Sequence, residues 1–98
     1  MSVQIVFVHG IRTSATMWRS QLEFLADQGI PAVAVDLPGH GTRMNEDFTL
    51  HEALHTIDVA VRDAATRGPV LLVGHSMGGL LSVSYTHLTL PTKRIVEI

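Results

Sequence analysis

Three short apolar segments dominate the hydrophobic pattern of this chain. They are residues 3–8 (VQIVFV), 31–35 (PAVAV) and 69–73 (PVLLV), and none of them alternates with polar residues. Continuous apolar runs of this length, rich in β-branched residues, are typical of strands that are covered on both faces, as in a parallel sheet. The pattern therefore predicts three buried parallel strands.

A helix is predicted between the first two strands. Apolar residues at i, i+4 and i+7 share one face of it, namely Trp18, Leu22 and Leu25. Ser14 and Thr16 are both candidate caps for its start, and Gly29 followed by Pro31 predicts its end. We interpret Trp18 as a core residue and not as a platform for substrate.

A second helix is predicted between the second and third strands. Thr49 and Glu52 have the spacing of a capping box, in which each side chain satisfies a backbone N–H at the helix start. One apolar stripe follows, made of Leu50, Leu54, Ile57, Val61 and Ala64. The order is therefore β-α-β-α-β with the start of a third helix, which predicts a single α/β domain with right-handed crossovers.

Composition narrows the class of protein. The 98 residues are 46% hydrophobic and 16% charged, which favours a packed core over disorder. The net charge is −2 and no basic block occurs, so a nucleic-acid partner is not expected. The chain has no cysteine, no signal-peptide pattern and no apolar run long enough to span a bilayer. We expect a cytoplasmic protein with no membrane partner, and the pattern leaves its oligomeric state open.

The segment GHSMG, residues 74–78, carries the candidate chemistry. It has the form G-x-S-x-G and stands directly after an apolar strand and before a predicted helix. Such a turn needs small flanking residues and lifts Ser76 above the sheet as a nucleophile, with the N–H of Met77 facing a developing oxyanion. The alternative is an ordinary glycine-rich turn with a solvent-facing serine.

Three motifs together resemble those of the α/β-hydrolase family. They are FVHG (residues 7–10), DLPGHG (residues 36–41) and GHSMGG (residues 74–79), and they occur in that family's order with approximately its spacing. The resemblance covers residues 3–82 and implies the first part of an α/β-hydrolase fold. The expected core is a three-stranded parallel sheet with flanking helices.

The resemblance also implies roles for individual residues. Ser76 would be the catalytic nucleophile, and the backbone N–H groups of Ile11 and Met77 would bind the oxyanion. The turn formed by residues 74–78 is called the elbow below. Structural roles in the elbow and in the loop after the first strand would fall to His9, Gly10, Gly74, His75 and Gly78. No metal or organic cofactor is expected.

Other polar residues are given structural interpretations. The resemblance places Asp36 and His40 in the loop after the second strand, where Asp36 is expected to accept backbone hydrogen bonds and not to act in catalysis. His51 and His55 have a spacing on a helix that suits a metal, but no third ligand is apparent. We therefore interpret them as part of a solvated helix face.

The catalytic triad is incomplete in this sequence. In the family the acid and then the histidine follow the serine on later strands, whereas here only His87 and Glu97 follow, in reversed order. Residues 83–92, VSYTHLTLPT, are not expected to continue the helix after the serine. They resemble the translation of a transposon-type adapter used in preparing sequencing libraries. We predict that residues 1–82 are the amino-terminal part of an α/β-hydrolase domain and that residues 83–98 are a non-native tail.

These observations predict a fragment of a serine hydrolase. Its full-length parent is expected to cleave an ester, a thioester or a related acyl bond of a small molecule, and the chain by itself is expected to be inactive. One alternative is an enzyme of the same fold that performs acyl transfer, carbon–carbon cleavage or cofactor-free peroxidation. Another is a non-enzymatic ligand receptor, since fold alone does not determine function.

Overall fold

The structure is a computed structural model that describes residues 3–79, 81 and 85, together with the backbone of residues 94–97. Within these residues the predicted alternation of strands and helices is confirmed. The elements are β1 (Gln4–Val8), α1 (Arg19–Asp27), β2 (Ala32–Val35), α2 (Leu50–Ala65), β3 (Val70–Gly74) and β4 (Arg94–Glu97), with 3-10 helices at Ala15–Trp18 and Gly41–Arg43.

All strand pairs in the sheet are parallel, and the strand order is β2-β1-β3-β4. Val8, the last residue of β1, is paired with Val35 in β2 and with Gly74 in β3. The carboxyl ends of these strands therefore meet at one edge of the sheet. The chain passes from β1 to β2 on one side and returns to β3 on the other, and a reversal of this kind leaves a crevice at the carboxyl edge.

The fourth strand was not predicted. Its backbone pairs with β3 from Leu71–Arg94 to Gly74–Glu97, and it lies in the segment that the sequence analysis assigned to a non-native tail. Residues 80, 82–84 and 86–93 lie outside the described residues. The boundary after residue 82 therefore stays a prediction.

The helix that follows the serine extends further than expected. Residues 77–79, 81 and 85 are helical, and Leu81 and Tyr85 are both buried. The Tyr85 hydroxyl donates a hydrogen bond of 3.0 Å to Asp58 Oδ1 in α2. The expectation that residues 83–92 do not continue this helix is therefore wrong at Tyr85, because a spacing of four residues puts Tyr85 on the same buried face as Leu81.

Both faces of β1 and β3 are covered, which explains their continuous apolar runs. The prediction of a buried strand is wrong for β2, because β2 lies at the edge of the sheet and its residues are half-buried or exposed, with Val33 47% exposed. On one face, β1 and β3 pack against α2 and the helix after the serine through a core that includes Val6, Val8, Ile57, Val61 and Leu72. On the other face, Phe7 and Val73 pack against Trp18, whose ring stacks on Phe7 with centroids 4.6 Å apart. The interpretation of Trp18 as a core residue is confirmed.

The predicted cap of α2 is confirmed at Thr49, whose Oγ1 accepts a 3.1 Å hydrogen bond from the Glu52 N–H, the first half of the predicted capping box. Ser14 Oγ accepts one of 3.3 Å from the Thr16 N–H, but it caps the 3-10 helix Ala15–Trp18, and α1 itself begins at Arg19 without a side-chain cap. The buried stripe of α2 begins at Ala53, because Leu50 lies in the first turn and is 57% exposed. Within the described residues, no helix is both long and apolar enough to cross a bilayer.

Candidate active site

Ser76 occupies a sharp turn between β3 and the next helix. Its φ of +55° lies in the left-handed region, which non-glycine residues adopt at a cost of about 1–3 kcal/mol. Two backbone hydrogen bonds hold the turn, from the His75 N–H to Val8 O (3.1 Å) and from the Gly78 N–H to His75 O (2.9 Å). The Ser76 side chain is exposed at the carboxyl edge of the sheet.

The glycines on either side of Ser76 are required by space. A Cβ on Gly74 would lie 2.5 Å from the carbonyl group of Gly78 and from the amide nitrogen of Gly79. A Cβ on Gly78 would lie 2.5 Å from His9 O and would overlap Val8 O at the end of β1. Glycine at position 74 thus leaves room for the start of the helix, and glycine at position 78 leaves room for the end of β1, so a larger residue at either position would strain the turn.

The loop after β1 rests directly against this turn. A Cβ on Gly10 would lie 3.4 Å from Ser76 Cβ and 3.2 Å from His75 O. The same position is 3.1 Å from His75 Nδ1, a buried ring nitrogen without a hydrogen-bond partner. The backbone of Gly10, the residue before Ile11, therefore packs against the elbow. Met77 begins the following helix, where the first N–H groups have no intrahelical acceptor.

His9 is fully buried beneath this loop. Its Nε2 accepts a 3.0 Å hydrogen bond from the Leu37 N–H, so the ring proton is on Nδ1, which donates to Gly10 O at 2.7 Å. Burial lowers the pKa of His9, and the hydrogen bond to Gly10 only partly opposes this effect. The ring is neutral, both nitrogens are occupied, and the side chain ties the loop after β1 to the loop after β2.

Asp36 has a second bridging role between these loops. Its carboxylate accepts hydrogen bonds from the Ala15 N–H (2.8 Å), the Thr42 N–H (3.1 Å) and the Thr42 hydroxyl (2.9 Å). Burial acts to raise the pKa of Asp36, but these hydrogen bonds outweigh it and hold the pKa below its ordinary value. Gly41, with φ +53°, leaves room for the carboxylate. The interpretation of Asp36 as a loop residue is confirmed.

The remaining candidates are a histidine in the loop after β2, two histidines on α2, and two residues that are not fully described. His40 points its Nδ1 at Pro38 O (3.0 Å) and its ring lies 4.9 Å from that of His9. His51 and His55 are exposed on α2, and among the described residues no three His, Asp or Glu side chains are grouped closely enough to hold a metal. His87 and the side chain of Glu97 are not among the residues described.

Two features of the loop after β1 were missed in the sequence. Arg12 adopts a left-handed φ of +62°, and the Thr13 hydroxyl donates a 2.7 Å hydrogen bond to Gly10 O. The left-handed residue has no sequence signal, because arginine does not favour that region. The hydroxyl does have one, since Ser and Thr side chains in turns commonly bond to nearby backbone groups.

The chain is similar to known proteins in sequence and in fold. The sequence model described as "Alpha/beta hydrolase family" matches residues 5–96. The (E)-2-((N-methylformamido)methylene)succinate hydrolase of Acinetobacter baylyi is 32% identical over 87 residues, which are 80% of this chain and 30% of the relative.

Two solved structures share the fold closely. The thioesterase domain from the curacin biosynthetic pathway superposes with a TM-score of 0.83 at 28% identity, over 99% of this chain and 37% of that one. Polyneuridine aldehyde esterase also gives a TM-score of 0.83, at 25% identity, over 99% of this chain and 40% of that one. The chain spans about a third of the length of the curated relatives it matches.

Proposed function

Because the chain belongs to the alpha/beta hydrolase family, we propose that it is the amino-terminal part of a serine hydrolase that cleaves an ester, thioester or related acyl bond. The observation that carries this proposal is the placement of Ser76. Its hydroxyl is exposed on a left-handed turn at the carboxyl edge of the sheet, directly against the Gly10 backbone. A serine is held in this costly conformation because the surrounding glycines and hydrogen bonds leave the turn no alternative.

In the proposed reaction, Ser76 Oγ attacks the carbonyl carbon of the acyl substrate. A histidine contributed by the longer protein accepts the hydroxyl proton and returns it to the leaving group, and a carboxylate orients that histidine. Water then attacks the acyl-enzyme by the same route and releases the acid. Because this proposal assigns both partners of Ser76 to the longer protein, the 98-residue chain alone is expected to be inactive.

The N–H groups of Ile11 and Met77 would bind the oxyanion of each tetrahedral intermediate. Ile11 follows the glycine that packs on Ser76, and Met77 supplies the first N–H of a helix, whose positive end favours negative charge. Losing one such donor typically costs about 2.7–4 kcal/mol of transition-state stabilisation, so two preorganised donors contribute substantially to the rate.

A fluorophosphonate probe tests the proposal on the longer protein that contains this sequence. The reagent phosphonylates an activated serine and releases fluoride. We expect labelling that is lost in Ser76→Ala and retained in Ser20→Ala, a control at an exposed serine of α1. Labelling that survives Ser76→Ala, or no labelling of the wild-type protein, would refute the proposal. The second result would favour a non-enzymatic receptor of the same fold.

A further inference from the structure

The carbonyl oxygen of Gly10 accepts three hydrogen bonds. His9 Nδ1 and Thr13 Oγ1 each donate to it at 2.7 Å, and the Thr13 N–H donates at 3.4 Å. Thr13 Oγ1 also lies 3.4 Å from Met17 Sδ, but its single proton belongs to the shorter and stronger bond to the carbonyl oxygen. This carbonyl is therefore held from two sides, by a buried ring and by a hydroxyl.

The direction of the Ile11 N–H follows from that of the Gly10 carbonyl. The two groups belong to one peptide unit, and the chain contains no cis peptide bond within the described residues. In a trans peptide the C=O and N–H vectors are antiparallel and lie in one plane. Any group that fixes the Gly10 oxygen thus fixes the N–H of Ile11 on the opposite side of the same plane.

The conformation of the loop after β1 brings the Thr13 hydroxyl close to the carbonyl oxygen of Gly10. Arg12 takes the left-handed conformation, with φ +62°, and this reverses the chain between the two residues. At its far end the loop is anchored by the Ala15 N–H, which donates to the carboxylate of Asp36. The peptide between Gly10 and Ile11 therefore belongs to a short loop that is held by hydrogen bonds at both of its ends.

We propose that Thr13 is a positioning residue for the oxyanion site, acting through the Gly10–Ile11 peptide and not by contact with substrate. This rests on the proposed function of Ser76 and Ile11. Without the Thr13 hydroxyl, the peptide plane keeps only its bond from His9 and the long bond from the Thr13 N–H. The Ile11 N–H then samples orientations that meet the oxyanion poorly, which weakens transition-state binding more than ground-state binding.

The test compares three variants of the longer protein in the kinetics of fluorophosphonate labelling. Thr13→Val removes the hydroxyl at constant shape, and Thr13→Ser keeps it. Thr66→Val is the matched control, because the Thr66 hydroxyl also donates to a backbone carbonyl, that of Asp63 (2.6 Å), but at the end of α2. Varying the probe concentration separates its reversible binding from the rate constant for labelling.

Thr13→Val is expected to lower the labelling rate constant by about 3- to 10-fold, the equivalent of one net hydrogen bond, with probe binding within about twofold of wild type. Thr13→Ser is expected to restore the rate, and Thr66→Val to leave it unchanged. An unchanged rate in Thr13→Val, or a loss that serine does not rescue, overturns the role of Thr13 while leaving Ser76 as the nucleophile. Failure of the wild-type protein to react at Ser76 overturns both proposals.

Discussion

Replacing Gly78 by alanine puts the geometry of the elbow to a direct test. Gly78 is in a helix, where alanine is ordinarily more stable than glycine by about 1 kcal/mol. A Cβ at this position, however, would lie 2.5 Å from His9 O and 2.8 Å from Val8 C, and both distances are shorter than van der Waals contact. Local propensity and tertiary packing therefore predict effects of opposite sign.

The magnitude follows from the atoms that have to move. Relieving the overlap requires the end of β1 to shift away from residue 78, an overpacking strain of about 1–3 kcal/mol. That shift also disrupts the bond from the His75 N–H to Val8 O (3.1 Å), at a cost of about 1 kcal/mol. After the gain in helix propensity, Gly78→Ala should lower the free energy of unfolding by about 2 kcal/mol.

Urea unfolding followed by Trp18 fluorescence measures this change. Trp18 is the only tryptophan in the chain and is buried against Phe7, so its emission reports loss of the core. The control is Gly29→Ala, where φ is +72° and nothing lies within 4 Å of the added Cβ, so only the left-handed conformation costs energy, about 1–2 kcal/mol. A Gly78→Ala chain as stable as wild type would refute the packing account of the elbow.

Two further predictions concern the elbow and the loop beside it. Ser76→Gly should be more stable to urea than Ser76→Ala by about 1 kcal/mol, because only glycine relieves the strain of the left-handed conformation. In the control, Ala26→Gly in α1, the free energy of unfolding should fall by about 0.5–1 kcal/mol. Equal stability of the two Ser76 variants would show that this strain is absent. Because the pKa of His9 is lower in the folded protein than in the unfolded protein, the unfolded protein binds the proton more readily. The free energy of unfolding should therefore fall as the pH decreases from about 7 to 5, through and below the ordinary histidine pKa near 6.5. His9→Asn should reduce this dependence in urea titrations at the two pH values, and an unchanged slope would argue against a neutral buried ring.

Hydrogen bonds hold together the loop after β1, the loop after β2 and the elbow at one edge of the sheet. His9 joins the loop after β1 to Leu37 in the loop after β2, and Asp36 joins the latter back to Ala15. The elbow is joined to the end of β1 by the bond between His75 and Val8. Donors aimed at a developing charge are effective only when they need not reorganise, and in the proposed function these hydrogen bonds would supply that rigidity before substrate binds.

The three strands, the two helices and the elbow could all be predicted from local pattern. A buried strand needs an apolar residue at every position, and a helix cap needs a hydroxyl or carboxylate at a fixed offset, as Thr49 provides. Gly74 is equally local in its signal, because a side chain there would overlap Gly78 and Gly79, whereas Gly78 is required by Val8 and His9 in distant β1 and its loop. The strand, cap and Gly74 signals share one property. Patterns of this kind depend only on residues a few positions apart.

Other features depended on residues that are far apart in the chain. The hydrogen bond from the Leu37 N–H to His9 spans 28 positions, and the one from Tyr85 to Asp58 spans 27. The pairing of β4 with β3, and the exposure of Leu50 on an otherwise buried stripe, also depend on what lies opposite each segment. The sequence by itself therefore determined which segments form strands, helices and the elbow, since period and steric demand are local properties. Only the tertiary structure decided which loops support the serine, because a hydrogen bond between distant residues exists only once the sheet has brought them together.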